Sequence, residues 1–102
     1  FVLGGGSALR SRCLRRHLGV RRTRFASRGE LEALTGLAPG AVPPFGRPIF
    51  DLPLYADSLL TEQERIGFTA GSRRLSLVVA TRDWLDVARP EVFRFAVDGS
   101  SE

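Results

Sequence analysis

Four prolines and two glycines fall between Leu37 and Pro48, with Phe45 among them. Proline removes an amide donor and fixes φ, and glycine gives no helix or strand support. No regular element survives that composition, so the chain is expected to carry a long irregular loop at its middle. A structureless loop of this length in a small domain is usually functional or disordered. Its prolines make it stiff, which favours function. Whatever folds on either side must close around it.

On the N-terminal side, Gly4-Gly5-Gly6-Ser7 reads as a flexible hairpin tip or a junction. From Ser7 the pattern turns helical: Leu9 with Cys13 and Leu14 with Leu18 are four apart, Ser7 can cap and Gly19 can end the helix. Val20 to Ala26 mixes basic with apolar or small residues and predicts a strand with one wet face. Ser27-Arg28-Gly29-Glu30 fits a capping box, opening a second helix that Gly36 closes. Beyond the loop, Leu52 to Ala56 predicts a short strand and Asp57 to Thr61 a turn or short helix. Arg65 to Ala70 and Leu75 to Ala80 predict paired strands about a Gly71-Ser72-Arg73-Arg74 turn, the second being the most buried-looking segment. Thr81 is expected to cap a last helix through Trp84, Leu85 and Val87 that stops at Pro90, and Val92 to Val97 to form a final strand. This order predicts a mixed α/β (α+β) domain with several locally paired strands.

All 15 basic residues are arginine, and the net charge is +4. Arg10, Arg12, Arg15, Arg16, Arg21, Arg22, Arg24 and Arg28 all precede Glu30, the first acidic residue. Such a block suits a polyanion, because guanidinium forks match phosphate. A genome that writes Arg in place of Lys explains the same block without a ligand. The single Cys13 cannot form an internal disulfide, which makes a reducing cytoplasm the default location. Cys13 and His17 share a helical face, but no third group follows them, so a Cys-His nucleophile is set aside. His17 reads as a surface residue. One His, one Cys and no clustered carboxylates predict no metal site and no cofactor. No apolar run approaches the ~20 residues of a membrane span. Met is absent throughout, so Phe1 is not expected to be a natural start.

Three stretches in register resemble the YbaK/ProX family, which contains free-standing aminoacyl-tRNA deacylases and the editing domain of bacterial prolyl-tRNA synthetases. The first is Leu18-Gly19, Arg24-Phe25-Ala26-Ser27, Glu30 and Thr35-Gly36. The second is Gly40-Ala41-Val42-Pro43-Pro44-Phe45-Gly46, similar to the family's Gly-x-x-x-Pro loop. The third is Leu52-Pro53-Leu54-Tyr55-Ala56-Asp57 with Phe68-Thr69-Ala70-Gly71. The match runs from about Leu14 to Ala96. It implies one YbaK-like editing domain over residues 1–102, lacking its N-terminal portion, with a mixed, largely antiparallel sheet or partial barrel and flanking helices.

The resemblance implies an aminoacyl-tRNA deacylase that hydrolyses the ester of mischarged tRNA, in trans, with tRNA for proline as the expected carrier. It implies Gly40 and Pro44 at the ester, Phe45, Gly46 and the Thr69-Ala70-Gly71 turn beside the substrate, and Asp57 near it. Each has a plainer reading: Gly40 and Pro44 as a structural turn, Asp57 as the cap of the turn at Ser58. Arg15, Arg16, Arg21 and Arg22 are expected to meet the tRNA acceptor stem or to form a solvated basic face. Trp84 is expected in the core. Independently of family, a stiff loop with glycines lets fixed amides hold a developing oxyanion. Two departures matter. The family carries an important Lys on a strand before the segment where this chain begins, and this chain has no Lys, so the 102-residue piece is expected to be a poor catalyst alone. Ser76 stands where some relatives place an acidic residue, which leaves the amino acid open. Mischarged tRNA is the implied partner and prolyl-tRNA synthetase a further one. A catalytically inactive tRNA- or protein-binding module of the same fold, and a generic arginine-rich nucleic-acid binder, are the alternatives.

Overall fold

The computed structural model describes residues 1–98. Its elements run β1 (Ser7–Leu9), α1 (Ser11–Leu18), α2 (Arg28–Thr35), β2 (Tyr55–Asp57), a 3-10 turn at Leu60–Glu62, β3 (Arg65–Thr69), β4 (Ser76–Ala80), α3 (Thr81–Ala88), β5 (Glu91–Phe93) and β6 (Ala96–Asp98). The fold is mixed α+β, as the sequence predicts. The strands make three two-stranded ladders: β1 with β6 and β3 with β4 antiparallel, β2 with β5 parallel. No regular element lies between Thr35 and Tyr55.

The second helix is the most local success. Ser27 accepts from the Glu30 amide, and Glu30 reaches back to the Ser27 amide, so two orphan donors are satisfied at once. The first helix starts later than its apolar spacing implies. Ser7–Leu9 pairs with Ala96–Asp98 instead, and Arg10, with no capping side chain, precedes the helix. Leu14 carries the packing of α1, at 2% exposure.

The predicted strand from Val20 to Ala26 is not formed. A strand needs a neighbour, no ladder reaches it, and every residue from Gly19 to Glu30 is exposed. The expected strand over Leu52 to Ala56 is displaced to Tyr55–Asp57, beyond Pro53. β4 forms where expected but is not buried: Leu77 and Val78 are 45% and 70% exposed, because β4 pairs only with β3. Thr81 does not cap α3. Ala80 holds the cap position, and Thr81 is the first helical residue.

The final strand is divided in two, and Asp57 divides it. Its Oδ1 accepts from the amides of Phe95 and Ala96, both at 2.8 Å, and its Oδ2 from the Leu59 amide at 2.9 Å. Amides held at one carboxylate oxygen cannot continue the β2–β5 ladder. The chain turns there, β5 stays beside β2, and β6 leaves for β1. Asp57 is 1% exposed, and these charge-assisted bonds offset its desolvation. The core gathers Ala56, Leu60, Ile66 and Trp84, with Phe45, Leu54 and Phe68 packed against them.

Candidate functional site

A cleft of about 1030 Å³ opens beside this core. It is lined by the N-terminal segment Phe1–Ser7, by the proline loop through Val42, Pro43, Pro44 and Phe45, by Leu52–Leu54, by the β3 residues Arg65–Phe68 and by Arg94. Phe45 meets Phe68 edge-on, with ring centroids 5.8 Å apart, so loop and hairpin share one apolar contact. The polar side chains along the cleft are Ser7, Thr35, Gln63, Arg65 and Arg94. No His, Cys, Asp or Glu is among its described lining residues.

The loop is irregular, yet it is fixed. Arg73 Nε donates to the Pro39 carbonyl at 2.7 Å, the Gly71 amide to the Ala41 carbonyl at 2.9 Å, and Trp84 Nε1 to the Pro44 carbonyl at 2.8 Å. These donors come from the β3–β4 turn and from α3. Gly40 has φ of +86°, a conformation that a side chain resists, and the Arg73 side chain lies across it. Gly46 is required for a different reason. A Cβ there would stand 2.7 Å from the Leu52 carbonyl oxygen, so the loop could not lie against Leu52. The Val42 amide has no acceptor among the described residues, although Val42 lines the cleft.

Of the residues expected at the site, Pro44 and Phe45 line the cleft. Gly40 and Gly46 do not; Gly40 bends the loop and Gly46 lets it approach Leu52 and Leu54. Thr69, Ala70 and Gly71 lie outside it, and Gly71 acts through its bond to Ala41. Asp57 is buried and its bonds are those of a turn and strand organiser, the plainer of its two readings. Arg15, Arg16, Arg21 and Arg22 lie away from the cleft, the last two fully on the surface. His17 is on the surface as expected, but stacked on Phe93 at 3.7 Å and bonded to Glu91 at 2.7 Å. Trp84 is core, at 2% exposure. Sequence reasoning missed Arg65, Arg94 and Gln63, since a lone polar residue in a strand or turn carries no positional signal. Among the described residues no three His, Cys, Asp or Glu side chains cluster. No described helix is long and apolar enough to cross a membrane.

A tethered loop beside a half-apolar cleft whose lining includes Arg65 and Arg94 is the candidate site of this α+β domain. Residues 1–87 match the family described as aminoacyl-tRNA editing domain, and the chain belongs to that family. It is 42% identical over 81 residues to the multifunctional Ser/Thr-tRNA deacylase ProXp-y of Escherichia coli strain K12, a match covering 78% of this chain and 47% of that protein. It is 36% identical over 66 residues to the proline–tRNA ligase of Shouchella clausii, covering 65% of this chain and 11% of the ligase. The chain thus spans about half the length of the deacylase. A solved structure described as a candidate trans-editing enzyme for prolyl tRNA synthetase superposes with a TM-score of 0.79 at 25% identity, over 95% of this chain and 62% of that one.

Proposed function

We propose that the protein is an aminoacyl-tRNA deacylase, hydrolysing in trans the ester between a wrong amino acid and the 3′ end of its tRNA. The observation that carries this is the cleft beneath the tethered proline loop. A cleft of about 1030 Å³ is too large for an amino acid alone and suits an aminoacylated terminal nucleotide. Phe45 and Phe68 offer apolar surface to a base or side chain, and Arg65 and Arg94 offer charge to phosphate.

In this reading the ester carbonyl faces the loop and its oxygen takes the Val42 N–H. A water, alone or assisted by the neighbouring ribose hydroxyl, attacks the carbonyl carbon. The resulting oxyanion is held by an amide already in place, so the loop does not rearrange as charge develops. The bond from carbon to the ribose oxygen then breaks, that oxygen takes a proton, and with water as nucleophile free amino acid and uncharged tRNA leave. No described side chain along the cleft is a carboxylate, imidazole or thiol that could act as general base, so the proton passes to solvent or to the substrate's own hydroxyl. Gly40 and Pro44 serve this scheme by holding the loop's shape. Arg15, Arg16, Arg21 and Arg22 contact the tRNA body. The protein works in the cytoplasm, with mischarged tRNA as substrate and prolyl-tRNA synthetase as the source of errors it corrects.

That same lack of a base favours a second reading: a domain that binds charged tRNA without cleaving it. Hydrolysis separates the two. The full-length protein is offered tRNA for proline carrying alanine, cysteine, serine or threonine, and tRNA for threonine carrying serine. Release of one amino acid, faster than spontaneous loss, is the expected result and names the substrate. Protection of every ester, with the protein folded and bound, overturns the deacylase and leaves the binding domain.

A further inference from the structure

A second cavity, of about 490 Å³, lies against the start of α3. Its walls include Gln63, Arg65, Thr81 and Arg82. Gln63 and Arg65 also line the main cleft, so the two spaces share a wall. Two independent features make this cavity more than a helix end.

The first is the set of free donors. An α-helix begins with amides that no helical carbonyl can reach. The Thr81 amide donates to the Glu64 carbonyl at 3.0 Å. No side chain caps α3, and the Arg82 and Asp83 amides have no acceptor among the described residues. The helix dipole adds partial positive charge at that point. The second feature is Thr81. It is 3% exposed, it lines the cavity, and its hydroxyl has no hydrogen-bond partner among the described residues. A buried hydroxyl without a partner is costly unless something fills the role. Charge agrees in sign: along the cavity, Arg65 and Arg82 face one carboxylate, Glu64. Outside the lining, Asp83 lies in the first turn of α3, and Glu62 lies between the lining residues Thr61 and Gln63.

We infer that the α3 N-terminus, with the Thr81 hydroxyl and the Arg65 and Arg82 guanidiniums, is a phosphodiester subsite for the RNA strand whose 3′ end enters the main cleft. The choice of RNA rests on the deacylase reading; the anion chemistry does not. A phosphate oxygen takes the Arg82 and Asp83 amides, and the Thr81 hydroxyl turns to donate to it. Arg65, standing between the two cavities, bridges this phosphate and the terminal nucleotide. The strand therefore crosses from the α3 end over Arg65 into the cleft, which fixes its direction and register.

The test is binding, read residue by residue, without any hydrolysis. Full-length protein labelled with nitrogen-15 is titrated with a short single-stranded RNA ending in CCA, and with the same RNA carrying neutral methylphosphonate linkages. The Arg82 and Asp83 amide signals are expected to move with the charged RNA and to stay with the neutral one. Thr81→Val keeps the shape and removes the hydroxyl. It is expected to weaken RNA binding about five-fold, the worth of one hydrogen bond, while the thermal midpoint holds or rises, because a buried unpaired hydroxyl is gone. Arg82→Gln is expected to lower the slope of log affinity against log salt by about one. The subsite is overturned if the Arg82 and Asp83 signals ignore the charged RNA, or if Thr81→Val binds it as tightly as the native protein. Because nothing is hydrolysed, a subsite that fails leaves the deacylase standing on its own assay. A subsite that holds beside protected esters belongs to a binding domain.

Discussion

Two irregular stretches of this chain, residues 37–48 and 19–27, are built to opposite ends. Both lack helix and strand. The first is crossed by bonds from Arg73, Gly71 and Trp84 and packs Phe45 into the core. The second is exposed throughout, with Phe25 at 84%, and its Arg21 and Arg22 side chains make no hydrogen bond among the described residues. Irregularity and looseness are separate properties. What separates them is where the backbone's hydrogen bonds go. A loop with its Pro39, Ala41 and Pro44 carbonyls taken by distant donors is held in place without regular structure, and that is the kind of peptide on which preorganised chemistry can rest.

The sharpest way to break this contrast is at Trp84. Replacing it with Ala removes a buried indole and leaves the Pro44 carbonyl without its donor, and should cost about 3–5 kcal/mol, read as a fall in the thermal midpoint. Trp84→Phe keeps most of the packing and removes only the N–H. It should cost about 1–3 kcal/mol and, on the deacylase reading, should cut hydrolysis more than the folding loss explains, since the loop's C-terminal tether is released. A Trp84→Phe enzyme with native rates would mean the tether holds nothing that matters.

Next in size is the loop's proposed donor. Val42→Pro deletes one amide and no side-chain contact of the reacting ester. On the oxyanion reading kcat should fall about 10²–10³-fold with KM little changed. A rise in KM at constant kcat would instead place Val42 in ground-state binding and move the oxyanion elsewhere.

The exposed stretch should answer in the opposite way. Arg21→Gln with Arg22→Gln should leave stability within about 0.5 kcal/mol, since neither side chain is held. RNA affinity should nevertheless lose about one unit of salt slope per arginine. A marked loss of stability would show that the stretch packs after all, and the contrast between the two regions would fail.

How much of this was open to reading from sequence follows the range of each interaction. The capping box at Ser27 and Glu30 spans three residues and was legible. So were the loop and the β3–β4 hairpin, marked by proline, glycine and alternation. The break in the last strand was not, because its cause, Asp57, lies 38 and 39 residues from the amides it takes. Periodicity placed Ser7 to Leu9 in a helix, and pairing with β6 overrode it, since an eight-residue α1 still buries Leu14. β4 was expected at the centre because its residues are apolar. Burial depends on what covers a strand, which no local pattern contains. At the site, the motif drew attention to the loop, and Pro44 and Phe45 line the cleft. Gly40 is not in its lining, because a glycine motif records where backbone must bend, not which way the bend faces.

Apart from the Ser27 cap, the Arg24 side chain joins the loose stretch to the rest, and its effect is the smallest and the most specific. Arg24 forks onto Glu30, both contacts at 2.7 Å, at the head of α2. The arginine's hydrogen bonds, helped by the Ser27 cap, hold the Glu30 carboxyl well below the usual carboxylate range. A carboxyl whose pKa is lower folded than unfolded favours the folded form while both states are ionised. That contribution is intact above the ordinary value of 4.5 and fades as pH falls from there through the folded pKa. The pair is fully exposed, so salt screens it and the change in global stability should be slight. The local readout is cleaner: the Ser27 amide donates to Glu30 Oε1 at 3.0 Å, and its signal should titrate with a midpoint below 4.5. Arg24→Gln should raise that midpoint without abolishing the cap, because the Ser27 bonds remain. An unchanged midpoint would mean that the stretch is free of α2 in solution, and the contrast with the tethered loop would then be complete.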